Sequence, residues 1–189
     1  RNPWDPTQNP GGSSAGAASA GAAGYGTLHI GTDIGGSVRL PAGWTGLFGF
    51  KPSQGRIPVD PYYTGRCAGP MTRTVVDAAY AMATLSRPDW RDGTSLPPNS
   101  IDWMDLDIDV KGLKIGLMLD AGCGLPLDEE VRDAVVAAAK LFEAAGAIVI
   151  PVEPVLTREM LDGLDDFWRA KFWGDMVALS ADRRAAILP

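Results

Sequence analysis

The chain has 189 residues, of which 46% are hydrophobic and 21% are charged, and this composition excludes an intrinsically disordered protein. Its length predicts one domain, or two at most. The formal net charge of −6 argues against a nucleic-acid partner, because an acidic surface repels the phosphate backbone.

A loop and a helix of small residues open the chain. Several prolines and glycines in residues 1–12 predict the loop, because each X-Pro disfavours helix at the residue before it. Residues 13–26 are almost entirely Ser, Ala and Gly, which leaves a flexible linker as one interpretation. Alanine outnumbers serine there, so we predict a buried helix over residues 14–24 with Ser13 at its N-terminus.

A strand, an irregular segment and a second helix come next. Residues 27–32 are rich in β-branched side chains and predict a short strand. The many prolines and glycines of residues 38–70 predict a packed segment without regular elements. A helix is predicted from about Thr74 to Ser86, with Asp77 completing a capping box.

The C-terminal half predicts a strand–helix–strand unit. A polar, proline-rich connection comes first, over residues 87–112, with a short helix near residues 101–106. The predicted elements that follow are a strand at 113–119, a helix from Asp128 to about Ala145, a strand at 147–152 and a helix at about 157–172. The first three of these form a βαβ unit with parallel strands.

Cysteine content and hydropathy indicate the compartment. The two cysteines lack C-x-x-C spacing and indicate reduced thiols. No run of about 18 apolar residues predicts a membrane span, and no secretory leader opens the sequence. We therefore expect a cytoplasmic protein with no membrane partner. Because both ends look cut, we also expect the sequence to be a piece of a longer protein.

Two Ser-Gly clusters, Gly11–Gly16 and Gly31–Arg39, are the candidate chemical features. Glycines permit a tight backbone path whose N–H groups can converge on an anion. A serine at the end of such a turn can act as a nucleophile, with those N–H groups meeting the developing oxyanion. An ordinary glycine-rich turn explains the clusters equally well at this point.

Three other chemistries fit less well. No G-x-x-x-x-G-K-[ST] occurs, so a phosphate-binding P-loop is not predicted. Ser14 matches G-x-S-x-G, but the one histidine, His29, lies in the next predicted strand, so a Ser-His-Asp triad fails and the base must be another residue, usually lysine. Asp105, Asp107 and Asp109 lack the rest of an EF-hand loop, and no metal site is expected.

Taken together, the two clusters resemble the amidase signature family. The segments that carry the resemblance are Gly11–Gly16, Gly31–Ala42 (Gly-Thr-Asp-x-Gly-Gly-Ser-x-Arg-x-Pro-Ala), Gly49–Ser53 (Gly-x-Lys-Pro-Ser), Gly69–Ala79 and Leu113–Val152. The resemblance implies an α/β fold with a mixed β-sheet core covered by helices. This chain would be a central segment of it, a partial domain over residues 1–189 with its catalytic core at 11–79 and its βαβ unit at 113–152.

The resemblance also implies roles for individual residues. Ser37 falls on the acyl nucleophile, and Ser13 falls on the bridging serine, whose preceding peptide bond is cis in the family. The oxyanion-binding amides would be those of Ile34, Gly35, Gly36 and Ser37, and the supporting side chains those of Ser14, Thr32, Asp33 and Arg39. The family's base is a lysine well upstream of the bridging serine, and none of the twelve residues before Ser13 is lysine.

Three hypotheses about function remain open. The first is a serine amidohydrolase that acts on a small-molecule amide, with no cofactor and no metal and with a homodimer as the expected assembly. The second is the glutaminase subunit of a tRNA-dependent amidotransferase. That subfamily carries Ser-Leu-Asp-Gln-x-Gly-Pro where this chain has Thr64–Pro70 (Thr-Gly-Arg-Cys-Ala-Gly-Pro), which counts against it. The third is a catalytically inert fragment that lacks the base.

Overall fold

An antiparallel sheet forms the centre of the first of two units, Arg1–Ile108 and Asp109–Pro189, into which the chain divides. The computed structural model describes residues 1–187. The strands are β1 (Leu28–Asp33), β2 (Phe48–Gly49) and β3 (Cys67–Thr72), in the order β1-β3-β2. The register pairs Leu28 with Thr72 and Asp33 with Cys67. The central strand β3 is buried along its whole length.

Three helices pack around this sheet: α1 (Ala15–Ala22), α2 (Arg39–Trp44) and α3 (Val75–Leu85). One core cluster joins α1, α2 and β3 through Ala18, Val38, Ala42 and Met71. A second core cluster lies under α3 and includes Met82. The small side chains of α1 let it approach the sheet closely, since a Cβ at Gly21 would lie only 3.0 Å from the ring of His29 in β1.

Two predictions about the first unit are wrong. Residues 38–70 are not irregular throughout, because they contain α2, β2 and the start of β3. Pro41 does not prevent α2, since it lies in the first turn, where no backbone N–H is required. The predicted helix near residues 101–106 is absent. The Asp102 carboxylate accepts a hydrogen bond from the Met104 N–H at 3.0 Å, which closes a local turn instead.

The second unit contains the predicted strand–helix–strand arrangement. Strands β4 (Lys114–Leu117) and β5 (Ile148–Pro151) are parallel and are connected through α4 (Glu129–Ala144). Asp128 caps α4 by accepting from the Glu130 N–H at 2.9 Å. Helices α5 (Arg158–Val177) and α6 (Ala181–Ala185) follow, of which α6 was not predicted. None of the three helices buries a residue.

The architecture is therefore α/β, as predicted, with antiparallel pairing in one unit and parallel pairing in the other. None of the helices formed by residues 1–187 combines the length and the apolar composition that crossing a bilayer requires.

Candidate active site

Hydrogen bonds bring the two Ser-Gly clusters together at the end of β1. The Ser14 N–H donates to the Ser37 carbonyl at 3.3 Å. The Ser14 hydroxyl also bridges to β1, because Oγ accepts from the Thr32 N–H at 3.2 Å and lies 3.3 Å from the Thr32 carbonyl. Gly31 makes this approach feasible, since a Cβ there would lie 2.6 Å from Ser14 Oγ. Two segments separated by a strand thus meet at one site.

Ser14 is also the residue that immediately precedes α1. It occupies the N-cap position of α1, yet its side chain caps no helix amide because the hydroxyl is engaged with Thr32. The helix runs from Ala15 to Ala22 with Ser14 at its N-cap, so the predicted helix over residues 14–24, with Ser13 at its N-terminus, is too long at both ends. Ser13 is exposed and Ser37 is partly exposed, so solvent reaches both residues. The Gly12–Ser13 peptide bond is cis, as the resemblance implies.

Asp33 braces the turn that follows β1. Its side chain is buried, and it accepts hydrogen bonds from the N–H groups of Gly36 (2.8 Å), Val38 (3.0 Å) and Arg39 (3.3 Å). The Arg39 guanidinium completes a bidentate pair, with Nε at 3.1 Å from Oδ2 and Nη2 at 2.9 Å from Oδ1. Five donors thus converge on one carboxylate and fix the path of residues 34–39.

The electrostatics of Asp33 follow from these contacts. Burial by itself would raise the pKa of Asp33, but the hydrogen bonds from the Arg39 side chain and from the three backbone amides outweigh it. The pKa therefore lies well below its usual range, and the carboxylate stays ionised. A permanent anion beneath the turn keeps the Gly36, Val38 and Arg39 amides pointing inward.

The four amides named as oxyanion donors divide into two groups. The Gly36 N–H is committed to the Asp33 carboxylate. Within residues 1–187, the N–H groups of Ile34, Gly35 and Ser37 donate to no protein acceptor. Gly36 instead shapes the turn, with φ of +125° and no room for a Cβ beside Leu40. Of the four predicted oxyanion donors, only the N–H groups of Ile34, Gly35 and Ser37 are therefore not already used by a protein acceptor in residues 1–187.

His29 takes no part in this arrangement. It is the second residue of β1, opposite Met71, and its ring lies against helix α1 at Gly21. Its buried Nε2 has no hydrogen-bond partner within the described part of the chain. It is thus a packed strand residue, as the sequence indicated. Across residues 1–187, no three His, Cys, Asp or Glu side chains are grouped so that they could hold a metal ion.

The sequence did not indicate that the segment before β3 borders the same turn. Cys67 pairs with Asp33, and the position of a Cβ on Gly65 lies 3.7 Å from the Ile34 side chain. The Lys51 ammonium lies 3.8 Å from Cys67 Sγ. Only strand pairing brings these residues together, and pairing of β1 with β3 across more than thirty residues leaves no local signal.

Known proteins are similar in sequence to this chain. The amidase family model matches residues 1–173. The chain is 42% identical over 154 residues to a glutamyl-tRNA(Gln) amidotransferase subunit of Enterococcus faecalis, covering 79% of this chain and 31% of that protein. It is 43% identical over 157 residues to the corresponding protein from Chromohalobacter salexigens, covering 80% and 32%. The chain spans about a third of the length of the curated relatives it matches.

Solved structures show the same fold. A bacterial aryl acylamidase of the amidase signature family has a TM-score of 0.80 and 36% sequence identity, covering 99% of this chain and 39% of that one. 6-Aminohexanoate cyclic dimer hydrolase, solved with its substrate, has a TM-score of 0.75 and 31% identity, covering 82% of this chain and 34% of that one. Sequence and structure agree that the chain belongs to the amidase signature family.

Proposed function

We propose that the intact protein is a serine amidohydrolase that cleaves a small-molecule carboxylic amide through an acyl-enzyme on Ser37. The observation that carries the proposal is the hydrogen bond from the Ser14 N–H to the Ser37 carbonyl. It brings the Asp33-braced turn against the segment that holds Ser13. A partly exposed serine beside three amides without protein acceptors in residues 1–187 is the arrangement that acyl transfer needs.

The proposed reaction uses the two serines in sequence. Ser37 Oγ attacks the amide carbonyl while its proton passes to Ser13 and on to the base. The N–H groups of Ile34, Gly35 and Ser37 stabilise the oxyanion of the tetrahedral intermediate. The C–N bond then breaks, Ser13 returns a proton to the leaving amine, and the acyl group stays on Ser37. Water attacks this ester, which releases the acid and restores the serine.

The base is the part of the proposal that lies outside this chain. The family resemblance implies a lysine upstream of Ser13, and the twelve residues that precede Ser13 include none. Such a lysine must be largely neutral to accept a proton, and burial lowers a lysine pKa in that direction. Because the relatives are more than twice as long as this chain, the intact protein has room to supply it.

Fluorophosphonate labelling of the intact protein tests the proposal. An activated serine displaces fluoride from phosphorus and retains the phosphonyl group, so peptide mass spectrometry locates the nucleophile. We expect the label on Ser37. Ser37→Ala should abolish labelling and amide hydrolysis, whereas Ser13→Ala should slow both by about 10²- to 10⁴-fold, as expected for loss of a proton-transfer group.

Ser19→Ala is the matched control, because Ser19 lies on α1 and its hydroxyl donates to the Arg1 carbonyl at 3.0 Å, away from the turn. We expect it to leave the labelling rate unchanged. A label on another serine, or amide turnover that survives Ser37→Ala, would contradict the assignment. A folded intact protein that takes up no label would favour the inert alternative.

The second candidate is the glutaminase subunit of a tRNA-dependent amidotransferase. The names of the curated relatives favour it. The departure from that subfamily's pattern at Thr64–Pro70 counts against it. Release of ammonia from glutamine, together with partner subunits that co-purify with the intact protein, would establish this candidate in place of the first.

A further inference from the structure

Two observations place the chain on either side of Arg66 next to the proposed oxyanion turn. Arg66 immediately precedes Cys67, which pairs with Asp33, the last residue of β1. Its other neighbour, Gly65, approaches the turn directly, since a Cβ there would lie 3.7 Å from Ile34 Cγ2. The strand register and the close approach of the Gly65 backbone thus agree that this loop adjoins the Ile34 end of the turn.

The loop has a defined shape that holds Arg66 in place. The Arg66 N–H donates to the Tyr63 carbonyl at 2.9 Å, which closes a turn over residues 63–66. The Arg66 guanidinium lies over the Tyr63 ring, 5.1 Å from its centroid, in a cation–π contact. Arg66 is only partly exposed. The side chain is therefore held against Tyr63 rather than extended into solvent.

The charge of Arg66 is not balanced locally. In the described part of the chain, no carboxylate forms an ion pair with Arg66, whereas the neighbouring Arg39 is paired with Asp33. Lys51 adds a second positive charge, 3.8 Å from Cys67 Sγ. The protein as a whole carries a formal net charge of −6. The positive charges of Arg66 and Lys51 beside the turn therefore contrast with the negative charge of the protein overall.

We propose that Arg66 is a specificity-determining residue that directs this site towards amides whose acyl portion carries a carboxylate. This inference rests on the proposed function and adds the substrate class to it. A guanidinium offers a planar pair of N–H donors that suits a carboxylate and repels an ammonium group.

Matched fluorophosphonates test this inference without a known substrate. Three probes of equal chain length end in a methyl, a carboxylate or an ammonium group, and the rate of Ser37 labelling is measured for each. In the wild-type protein the carboxylate probe should react fastest. Arg66→Gln should lower the ratio of carboxylate to methyl rates by about 10- to 100-fold, the range for one charge-assisted hydrogen bond. Arg66→Lys should keep part of the preference, and Arg66→Glu should favour the ammonium probe.

Arg73→Gln is the matched control, because Arg73 follows the opposite end of β3 and lies roughly 20 Å along the strand from Arg66. It removes the same charge and should leave the ratio unchanged. Equal labelling of wild type by all three probes, or equal loss of preference in Arg66→Gln and Arg73→Gln, would overturn the inference alone. Absence of Ser37 labelling by every probe would overturn the proposed function, and the inference with it.

Discussion

At the scale of single residues, Asp33 holds the turn at residues 34–39 in its conformation. Its buried carboxylate is the common acceptor for three backbone amides and the Arg39 side chain. Asp33→Asn keeps the size but replaces one acceptor oxygen with a donor, so buried N–H groups lose their partner. We expect a loss of about 3 kcal/mol in the free energy of unfolding at pH 7, measured by urea denaturation of the intact protein.

The pH dependence of that loss identifies the carboxylate as its cause. Because the folded-state pKa of Asp33 is lowered, the stability it contributes is fully present above the unfolded-state pKa of about 3.9. It is lost as the pH falls from there towards the folded-state pKa. The difference between wild type and Asp33→Asn should therefore narrow below about pH 4. A difference that stays constant as the pH falls through this range would mean that the charge of Asp33 is not what holds the turn.

Arg39→Gln removes the other partner of the Asp33–Arg39 ion pair, and its effect on stability can be compared with that of Asp33→Asn. The Arg39 side chain is 51% exposed, so solvent screens its pairing with Asp33. Three backbone donors remain on the carboxylate after the substitution. We expect a loss of about 1 kcal/mol, clearly smaller than for Asp33→Asn. The sequence indicated both residues only through the family resemblance, because no local pattern shows that a carboxylate will be enclosed by its own chain.

At the scale of elements, the sequence predicted those whose signals are local. Helix α3 follows a capping box, and in the structure Thr74 Oγ1 accepts from the Asp77 N–H at 3.1 Å and donates to its carboxylate at 2.7 Å. Strand β3 was missed because its sequence contains Gly69 and Pro70, which usually interrupt strands. Gly69 is needed there because a Cβ would collide with the Phe50 carbonyl. Because that contact is between residues 19 positions apart in the chain, the sequence around Gly69 does not predict it.

Pro70 is tolerated in this central strand for a related reason. The pairing of β2 with β3 ends at Gly49 and Met71. Pro70 lies one residue beyond that last pair, so the N–H that proline lacks is not needed to pair β3 with β2. Its carbonyl still accepts from the Phe50 N–H at 3.0 Å. The fold around the site therefore depends on long-range backbone contacts, whereas the capped helices at its periphery depend on neighbouring residues.

The cap of α3 gives a prediction at this scale. Thr74→Ala removes the acceptor for the Asp77 N–H and should lower the free energy of unfolding by about 1 kcal/mol. Thr84→Ala makes the same substitution in the last turn of the same helix, where it caps nothing, and should be neutral or slightly stabilising. Urea denaturation of the two variants measures both effects. Equal losses would show that threonine packing, and not the cap, stabilises α3.

At the scale of the whole molecule, the buried apolar side chains are concentrated in the first unit. The first unit has two core clusters, whereas α4 and α5 in the second unit bury no residue. The exposed side chains of α5 include Phe167, Phe172 and Trp173, the last 68% exposed. Soluble domains seldom leave so many large apolar side chains uncovered. Together with the relatives' greater length, this favours a chain that depends on further sequence to cover the second unit.

Hydrogen exchange of the 189-residue chain tests this dependence. Local opening costs little where few apolar contacts are lost, so the amides of α5 should exchange on the order of 100-fold faster than those of β3 in the isolated chain. In the intact protein, burial of the apolar face of α5 should slow its exchange, while β3 should change little because it is already enclosed. Equal protection of α5 and β3 in the isolated chain would show that the second unit is stable without a cover. Slow exchange in β3 together with fast exchange in α5 would locate the stable framework of the site in the first unit, which holds Ser13, Asp33 and Ser37.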